Sequence, residues 1–433
     1  MEAILAAKFT EFLKSAGGVL AAVAILLVMV TIHEFGHYLA GKLLGFKINE
    51  FSVGFGPAIY KKRSKKTGEL FALRVIPLGG YCAFDGEDEI DDETDGEQKA
   101  ETPTEQTPFS ELASPPAETK TAETEAAANP AEKTAEKTEE KDGEAYPEPK
   151  GEKFNDQPPW KRIIVLLAGA TMNYILGVVL IFIMFLSFGR PLYKVTGLPQ
   201  DNEDSAQTQT VQTQTDGNAL QSGDIVMRIE GRRLYLITDY MAAMKGKNAG
   251  DTATVEVLRN ENGALQKRTL EITLGASYQD FDSLTKTSGV LKALGVTELS
   301  SVAVKESFGV TVGDSLAYSW KEAGMVLSSL GQLVTGKISI KSMGGPVTTI
   351  KVASQQAKSG WVNFLNIASF IGVNLAVFNL LPIPALDGSK VVFCIIEWIR
   401  KKPINRKVEA TIHFVGIIFL FAFAILVDIL QLF

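Results

Sequence analysis

The residues with the clearest chemical potential lie near the N-terminus, in the run His33-Glu34-Phe35-Gly36-His37. On a helix, positions i and i+4 share a face. His33 and His37 can then hold one Zn²⁺ between them, with Glu34 placed to act on a bound water. Many soluble proteins match this pattern by chance. Here it interrupts a long apolar run, residues 17–44. Ionisable groups inside a membrane helix are costly and usually functional, which favours a site over a structural polar patch. A hydrolytic zinc site also needs a third ligand and an open position for water. The chain has three histidines, and the third, His413, stands alone on a later apolar stretch where a packed or interfacial role is the simpler reading. Glu50 and Glu69 fall in a segment of strand-like alternation. Asp387 is the better candidate, in Asn379-Leu-Leu-Pro-Ile-Pro-Ala-Leu-Asp387-Gly388. Two prolines break the helix there, and broken helix at membrane depth is tolerated only inside protein or along a cavity. A plain helix-ending turn with Asp387 in solvent stays open at this point.

Four apolar runs must position these residues: 17–44, 163–188, about 361–381 and about 410–433. Each approaches or exceeds the roughly 20 residues that a membrane-spanning helix needs. The first begins late, has no small-residue cleavage site and carries charge, unlike a signal peptide. The stretch around 391–399 is too short to span and predicts a partly buried helix. Basic residues cluster between runs one and two (Lys47, Lys61, Lys62, Arg63, Lys65, Lys66, Arg74, Lys161, Arg162) and between runs three and four (Arg400, Lys401, Lys402, Arg406, Lys407). By the bias of Lys and Arg toward the cytoplasm, both of these loops face inside, and the termini and residues 190–360 face outside. The two cysteines, Cys82 and Cys394, match no metal or disulfide framework.

The net charge of −7 averages two unlike parts. Residues 85–150 carry 22 Asp or Glu against 6 Lys, so the remainder is basic. Those basic residues flank apolar runs, which points to a membrane and excludes a nucleic-acid surface. The organisation expected is a first span with the His-Glu-His motif (1–46), a cytoplasmic β-hairpin (47–84) and an acidic insert (85–155). A second span (160–189) and a β-rich unit (195–278) follow. Paired helices (310–358), a third span with Asp387 (361–388) and a last segment of short helix plus fourth span (389–433) complete it. The hairpin turns at Lys61–Gly68, and its glycines at 54, 56, 79 and 80 permit close backbone approach. The insert has almost no large apolar residues and is expected to be disordered. Within the β-rich unit, strands are predicted at 225–229, 252–258 and 268–274, and helices follow at about 312–334 and 347–358.

The pairing of His-Glu-Phe-Gly-His in a first span with Asn379–Gly388 in a late one resembles the site-2 protease family, in its bacterial branch with an external PDZ domain. The resemblance covers nearly the whole chain except the acidic insert. Residues 51–57 and 77–81 look like that family's membrane-associated hairpin. Residues 168–176 (AGATMNYIL) resemble its second span, 223–231 a PDZ core, and 344–347 the turn after it. Departures are Ala170 in place of a proline, Ser389 in place of a second glycine, Tyr81-Cys82-Ala83 in the hairpin, and no clear carboxylate-binding loop in the PDZ-like unit. The implied fold is a polytopic α-helical membrane protein of four transmembrane helices with a membrane-associated β-hairpin and one extracytoplasmic PDZ-like α/β domain.

The implied activity is zinc-dependent hydrolysis of peptide bonds within transmembrane segments. His33, His37 and Asp387 would hold the metal, Glu34 would serve as base and acid, and Asn374 and Asn379 would hold the substrate backbone. Implied substrates are single-pass membrane proteins, including ones already trimmed by another protease, such as anti-sigma factors, or signal-peptide remnants. The implied location is the bacterial cytoplasmic (inner) membrane, in contact with lipid, with the PDZ-like unit outside and the acidic insert in the cytoplasm. Two other classes were weighed. A non-catalytic PDZ-bearing scaffold is disfavoured by the intact His33, Glu34, His37 and Asp387. A metal transporter would spread ionisable groups over several spans, whereas runs two and four hold almost none apart from His413 and Asp428.

Overall fold

A computed structural model of the chain describes residues 2–87, 146–198, 219–277 and 286–431. The central part of the acidic insert lies outside the described residues, and so does the disorder expected for it. The chain opens with α1 (Glu2–Leu44), followed by β1 (Ile48–Arg63), β2 (Leu70–Phe84) and α2 (Pro159–Phe188). A β-rich unit comes next: β3 (Arg190–Gly197), β4 (Ile225–Ile229), β5 (Arg232–Arg233), α3 (Ile237–Met244), β6 (Thr252–Glu261), β7 (Ala264–Thr273), α4 (Lys286–Leu294) and β8 (Glu298–Val304). Helices complete the described chain: α5 (Phe308–Val334), α6 (Pro346–Lys358), α7 (Trp361–Asn379), α8 (Asp387–Arg400) and α9 (Arg406–Leu430).

Four helical segments are long and apolar enough to cross a membrane: Ala16–Leu44 of α1, then α2, α7 and α9. They match the four expected runs to within a few residues. Their ends follow local chemistry. Pro159 opens α2, where a missing N–H costs nothing, and Gly189 closes it at φ +99° with its N–H on Phe185 O. Gly45 ends α1 at φ +80°. Small residues let the spans approach closely. A Cβ on Gly36 of α1 would lie 2.5 Å from Ala168 O of α2, and one on Gly177 of α2 would lie 2.9 Å from Val373 of α7. The segment at 391–399, too short to span, is part of α8. It is tied below the spans by Glu397, which pairs with Arg162 of α2 and with Arg406 of α9 at 3.4 Å, and accepts from the N–H of Ile404 at 3.0 Å.

The β1–β2 pair is more than the simple hairpin expected. Residues 50–53 pair on one side with 80–83 and on the other with 70–73, and 70–73 pair in turn with 60–63. Each long strand therefore bends and contributes twice to the sheet. The bends need glycine: Gly54 sits at φ +89°, and a Cβ on Gly79 would fall 1.9 Å from the Phe55 ring. Arg74 braces the fold from within, donating to Ser52 Oγ at 2.9 Å and Glu50 Oε1 at 2.8 Å. Glu69, 2% exposed, accepts from Tyr38 at 3.1 Å and pairs with Lys42, so the sheet is fastened to α1 one turn beyond His37. Where the chain leaves for the insert and returns, its two arms are sewn together. Phe154 N–H donates to Asp85 O at 2.7 Å, Lys47 N–H to Glu152 O at 2.9 Å and Glu152 N–H to Gly45 O at 3.0 Å.

The β-rich unit is a sheet in the order β7-β6-β4-β3-β8, with β5 on β4. Val195, Val226, Ile229, Val255, Val257, Tyr240 and Val290 form a core of its own under α3 and α4. The three predicted strands are present. The flanking β3 and β8, which pair Arg190 with Val304 through Val195 with Leu299, were not foreseen. A buried ionic network joins this unit to α5: Arg190 Nε lies 3.1 Å and Arg233 Nη2 2.6 Å from Asp314 Oδ2. Helix α5 then lies along α2, with Phe308 on Phe182, Tyr318 on Phe185, and Ser319 Oγ 3.0 Å from Tyr174 OH.

Candidate metal centre

Helix α1 carries His33 and His37 one turn apart, both buried, on the face it turns to α2. Asp387 arrives from the other end of the chain as the first residue of α8, after the helix break that Pro382 and Pro384 impose. Gly388 permits that approach, since a Cβ there would meet Leu381 O at 2.4 Å. Ser389 stands where a second glycine was the expected pattern, and its hydroxyl donates to Leu386 O at 2.7 Å, which tightens the turn. Asp387 is half-buried and turned toward the two histidines, not free in a solvent-facing turn.

The three side chains converge. His33 Nε2 lies 3.1 Å from His37 Nε2, and Asp387 Oδ2 lies 3.0 Å from the first and 3.4 Å from the second. This is the only group of three or more potential metal ligands among the described residues. His37 Nδ1 sits 2.8 Å from Val165 O, a carbonyl that can only accept. That bond puts the proton on Nδ1 and leaves Nε2 with a lone pair pointing at the shared space. Asp387 Oδ2 is buried with no hydrogen-bond donor. Lone pairs facing one another at these distances repel unless a cation lies among them.

The geometry fits zinc. Ligand bonds of about 2.0–2.1 Å in a tetrahedron put donor atoms roughly 3.3–3.4 Å apart, close to the three separations here. The space is also kept clear: a Cβ on Gly169 of α2 would fall 2.4 Å from His37 Nε2 and 2.8 Å from His33 Cε1.

Around the donors, Asn173 of α2 and Asn379 at the end of α7 each bring Nδ2 to 3.4 Å from His33 Nδ1. Asn173 Oδ1 is buried without a partner. Exchanging the amide O and N of Asn173 would let Oδ1 accept a His33 Nδ1 proton. That choice frees His33 Nε2 in the same tautomer as His37. Sequence reasoning included Asn173 only as part of a motif and gave it no role. Its signal was the one side-chain amide in a mostly apolar span. Asn374 is not brought to the histidines by any hydrogen bond among the described residues, and its Oδ1 is buried without a partner. Glu34 lies between the two histidines in sequence, on the same stretch of α1. The β2 strand passes over it, with the Cβ position of Gly80 at 3.2 Å from Glu34 Cγ. The edge of the small sheet thus borders the site. Glu50 and Glu69 are engaged inside that sheet, and His413 accepts a backbone N–H from the loop before Asp387.

Comparison with known proteins adds an independent observation. The description "Peptidase family M50" matches residues 21–423. The regulator of sigma-W protease RasP of Bacillus subtilis is 31% identical over 446 residues, covering 96% of this chain and 99% of that protein. The zinc metalloprotease RasP of Bacillus licheniformis is 30% identical over 443 residues, with 96% and 99% covered. A putative zinc metalloprotease of Fusobacterium nucleatum is 24% identical over 414 residues, with 95% and 97% covered.

Proposed function

The chain belongs to peptidase family M50, and from that premise we propose that this zinc metalloendopeptidase of the site-2 type cleaves single-pass membrane proteins within their transmembrane segments. The observation that carries the reading is the convergence of His33 Nε2, His37 Nε2 and Asp387 Oδ2 within 3.4 Å beside four apolar helices. These three residues hold the metal. Zinc, when bound there, supplies Lewis-acid polarisation of the scissile carbonyl and brings the pKa of water toward neutrality. Glu34 takes the proton from the attacking water and returns it to the leaving amine. Asn379, already turned toward His33, orients that imidazole and stands where an extended substrate backbone would pass, and Asn374 offers its unpartnered amide to the same backbone.

A substrate helix hides its peptide bonds in its own hydrogen bonds and must unwind before attack. The edge of the β1–β2 sheet over Glu34 offers the unwound segment a strand to pair with. The β-rich unit between α2 and α5 is read as a PDZ-like domain outside the cytoplasmic membrane, filtering substrates by size or holding a cut end. The acidic insert and the basic β1–β2 turn lie on the cytoplasmic side. Substrates already trimmed by a first protease, anti-sigma factors or signal-peptide remnants among them, fit such a filter.

The test is cleavage of a single-pass substrate by the purified chain in detergent, with zinc measured on the same samples. Wild type is expected to cut and to hold about one zinc per chain. Glu34→Gln should keep the metal and lose between about 10² and 10⁴ in rate. No zinc in a folded wild type would overturn the site.

A further inference from the structure

We propose that His413 of α9 is a positioning residue for the metal-ligating loop, acting as a neutral acceptor that fixes the backbone two residues before Asp387. This rests on Asp387 being a ligand. Between the end of α7 and the start of α8 the chain has no regular structure to hold it, yet Asp387 must meet two histidines at 3.0 and 3.4 Å. Ala385 adopts φ +80° without being glycine, a conformation that persists only when its surroundings over-determine it. Those surroundings come from α9. Ala385 N–H donates to His413 Nδ1 at 3.2 Å. One turn on, a Cβ on Gly416 would lie 2.4 Å from Pro384 Cβ, so the helix backbone presses on the residue before Ala385. Positions 413 and 416 share a helix face. The Phe393 ring of α8 meets the imidazole edge-on at 5.7 Å and fixes its plane. Because Nδ1 accepts, the ring carries its proton on Nε2 and is uncharged. Helix α9 is mostly exposed along its length, with Gly416 and Val427 its only buried residues among those described. The His413 bond to Ala385 and the Gly416 contact with Pro384 fall on the face of α9 that meets this loop.

Three variants of the full chain separate this role from simple packing. His413→Asn keeps an acceptor near the Nδ1 position, His413→Gln moves it to the Nε2 position, and His413→Phe keeps only the ring. Two readouts apply in detergent: hydrogen exchange of the Ala385 amide, and zinc transfer to a chelating dye. The expected result is about ten-fold faster exchange and zinc release in the Gln and Phe variants, with the Asn variant within about two-fold of wild type. Activity should follow as a fall in kcat at constant KM. Equal behaviour of the Asn and Gln variants, whether both normal or both impaired, overturns the proposal, and that pair decides even when the Phe variant does not fold. Zinc release from wild type as fast as from Asp387→Asn would sink the ligand reading separately. The Ala385 amide would still judge His413 on its own.

Discussion

Two clusters of buried ionisable groups adjoin α2, one beside Val165 and Asn173 and one just past its C-terminal end, and they are built on opposite plans. At one end His33, His37 and Asp387 face one another as acceptors, with no positive side chain among them. At the other, cations and anions alternate. Arg190 donates to Leu234 O at 2.6 Å and lies 3.2 Å from Glu306, Arg233 reaches Asp314 at 2.6 Å, and Tyr235 donates to Asp314 at 2.9 Å. The second cluster balances its charges internally, two arginines against two carboxylates, and joins the β-rich unit to α5. The first is electrostatically incomplete and needs a cation from outside. Burial alone does not separate a site from a fastening. The balance of charge within the cluster does.

The sharpest way to break this contrast is to neutralise one aspartate in each cluster. Asp387→Asn should abolish zinc retention and cleavage while leaving the fold intact, because it removes an uncompensated acceptor. Asp314→Asn should leave zinc stoichiometry unchanged but cost about 3–5 kcal/mol in denaturant unfolding, the usual penalty for stranding a buried partner. If the two variants exchanged phenotypes, the contrast would be wrong. A smaller effect is expected from Gly169→Ala, which puts a methyl into the space between the histidines. Zinc affinity measured by competition should drop roughly 10- to 100-fold, the range seen when a shell around a metal is disturbed, and no change would mean that the histidines relax freely.

The smallest effect concerns a third kind of buried group. Glu322 of α5 is 2% exposed, and burial pushes its carboxyl up to about 8 despite a hydrogen bond with Tyr318 that pulls it down. A raised carboxyl means that the folded state holds its proton while the unfolded chain has released it. The contribution is fully present below about 4.5, the unfolded value, and is lost as pH rises toward 8. Glu322→Gln, a neutral isostere, should match wild type in thermal stability near pH 4 and exceed it increasingly up to pH 8. A constant difference across that range would show that Glu322 does not titrate with folding.

Much of this was legible before any coordinates. Hydropathy located the spans because lipid leaves few alternatives to a helix of that length. The His-Glu-His spacing and the proline break made His33, His37 and Asp387 candidates, and the family resemblance rather than the residues alone paired positions about 350 apart. What could not be read depended on long-range geometry. Alternation in β1 and β2 announces strands, but nothing local says that residues 50–53 pair on both sides. Pairing of β3 with β8 joins segments about a hundred residues apart. Asn173 and His413 are polar residues within apolar stretches of α2 and α9, and their partners depend on how those helices rotate against α1 and α8. Such residues read equally well as core packing until the neighbour is known.

The seam formed by Lys47, Asp85, Glu152 and Phe154 has a consequence for how the chain tolerates change. Its hydrogen bonds hold Gly45, Lys47, Asp85, Glu152 and Phe154 at one spot, so the chain leaves for the acidic segment and returns from it side by side. Closure entropy grows with the logarithm of loop length, about 0.6 kcal/mol per doubling. A change of chain length between these two arms therefore costs the fold little in closure entropy.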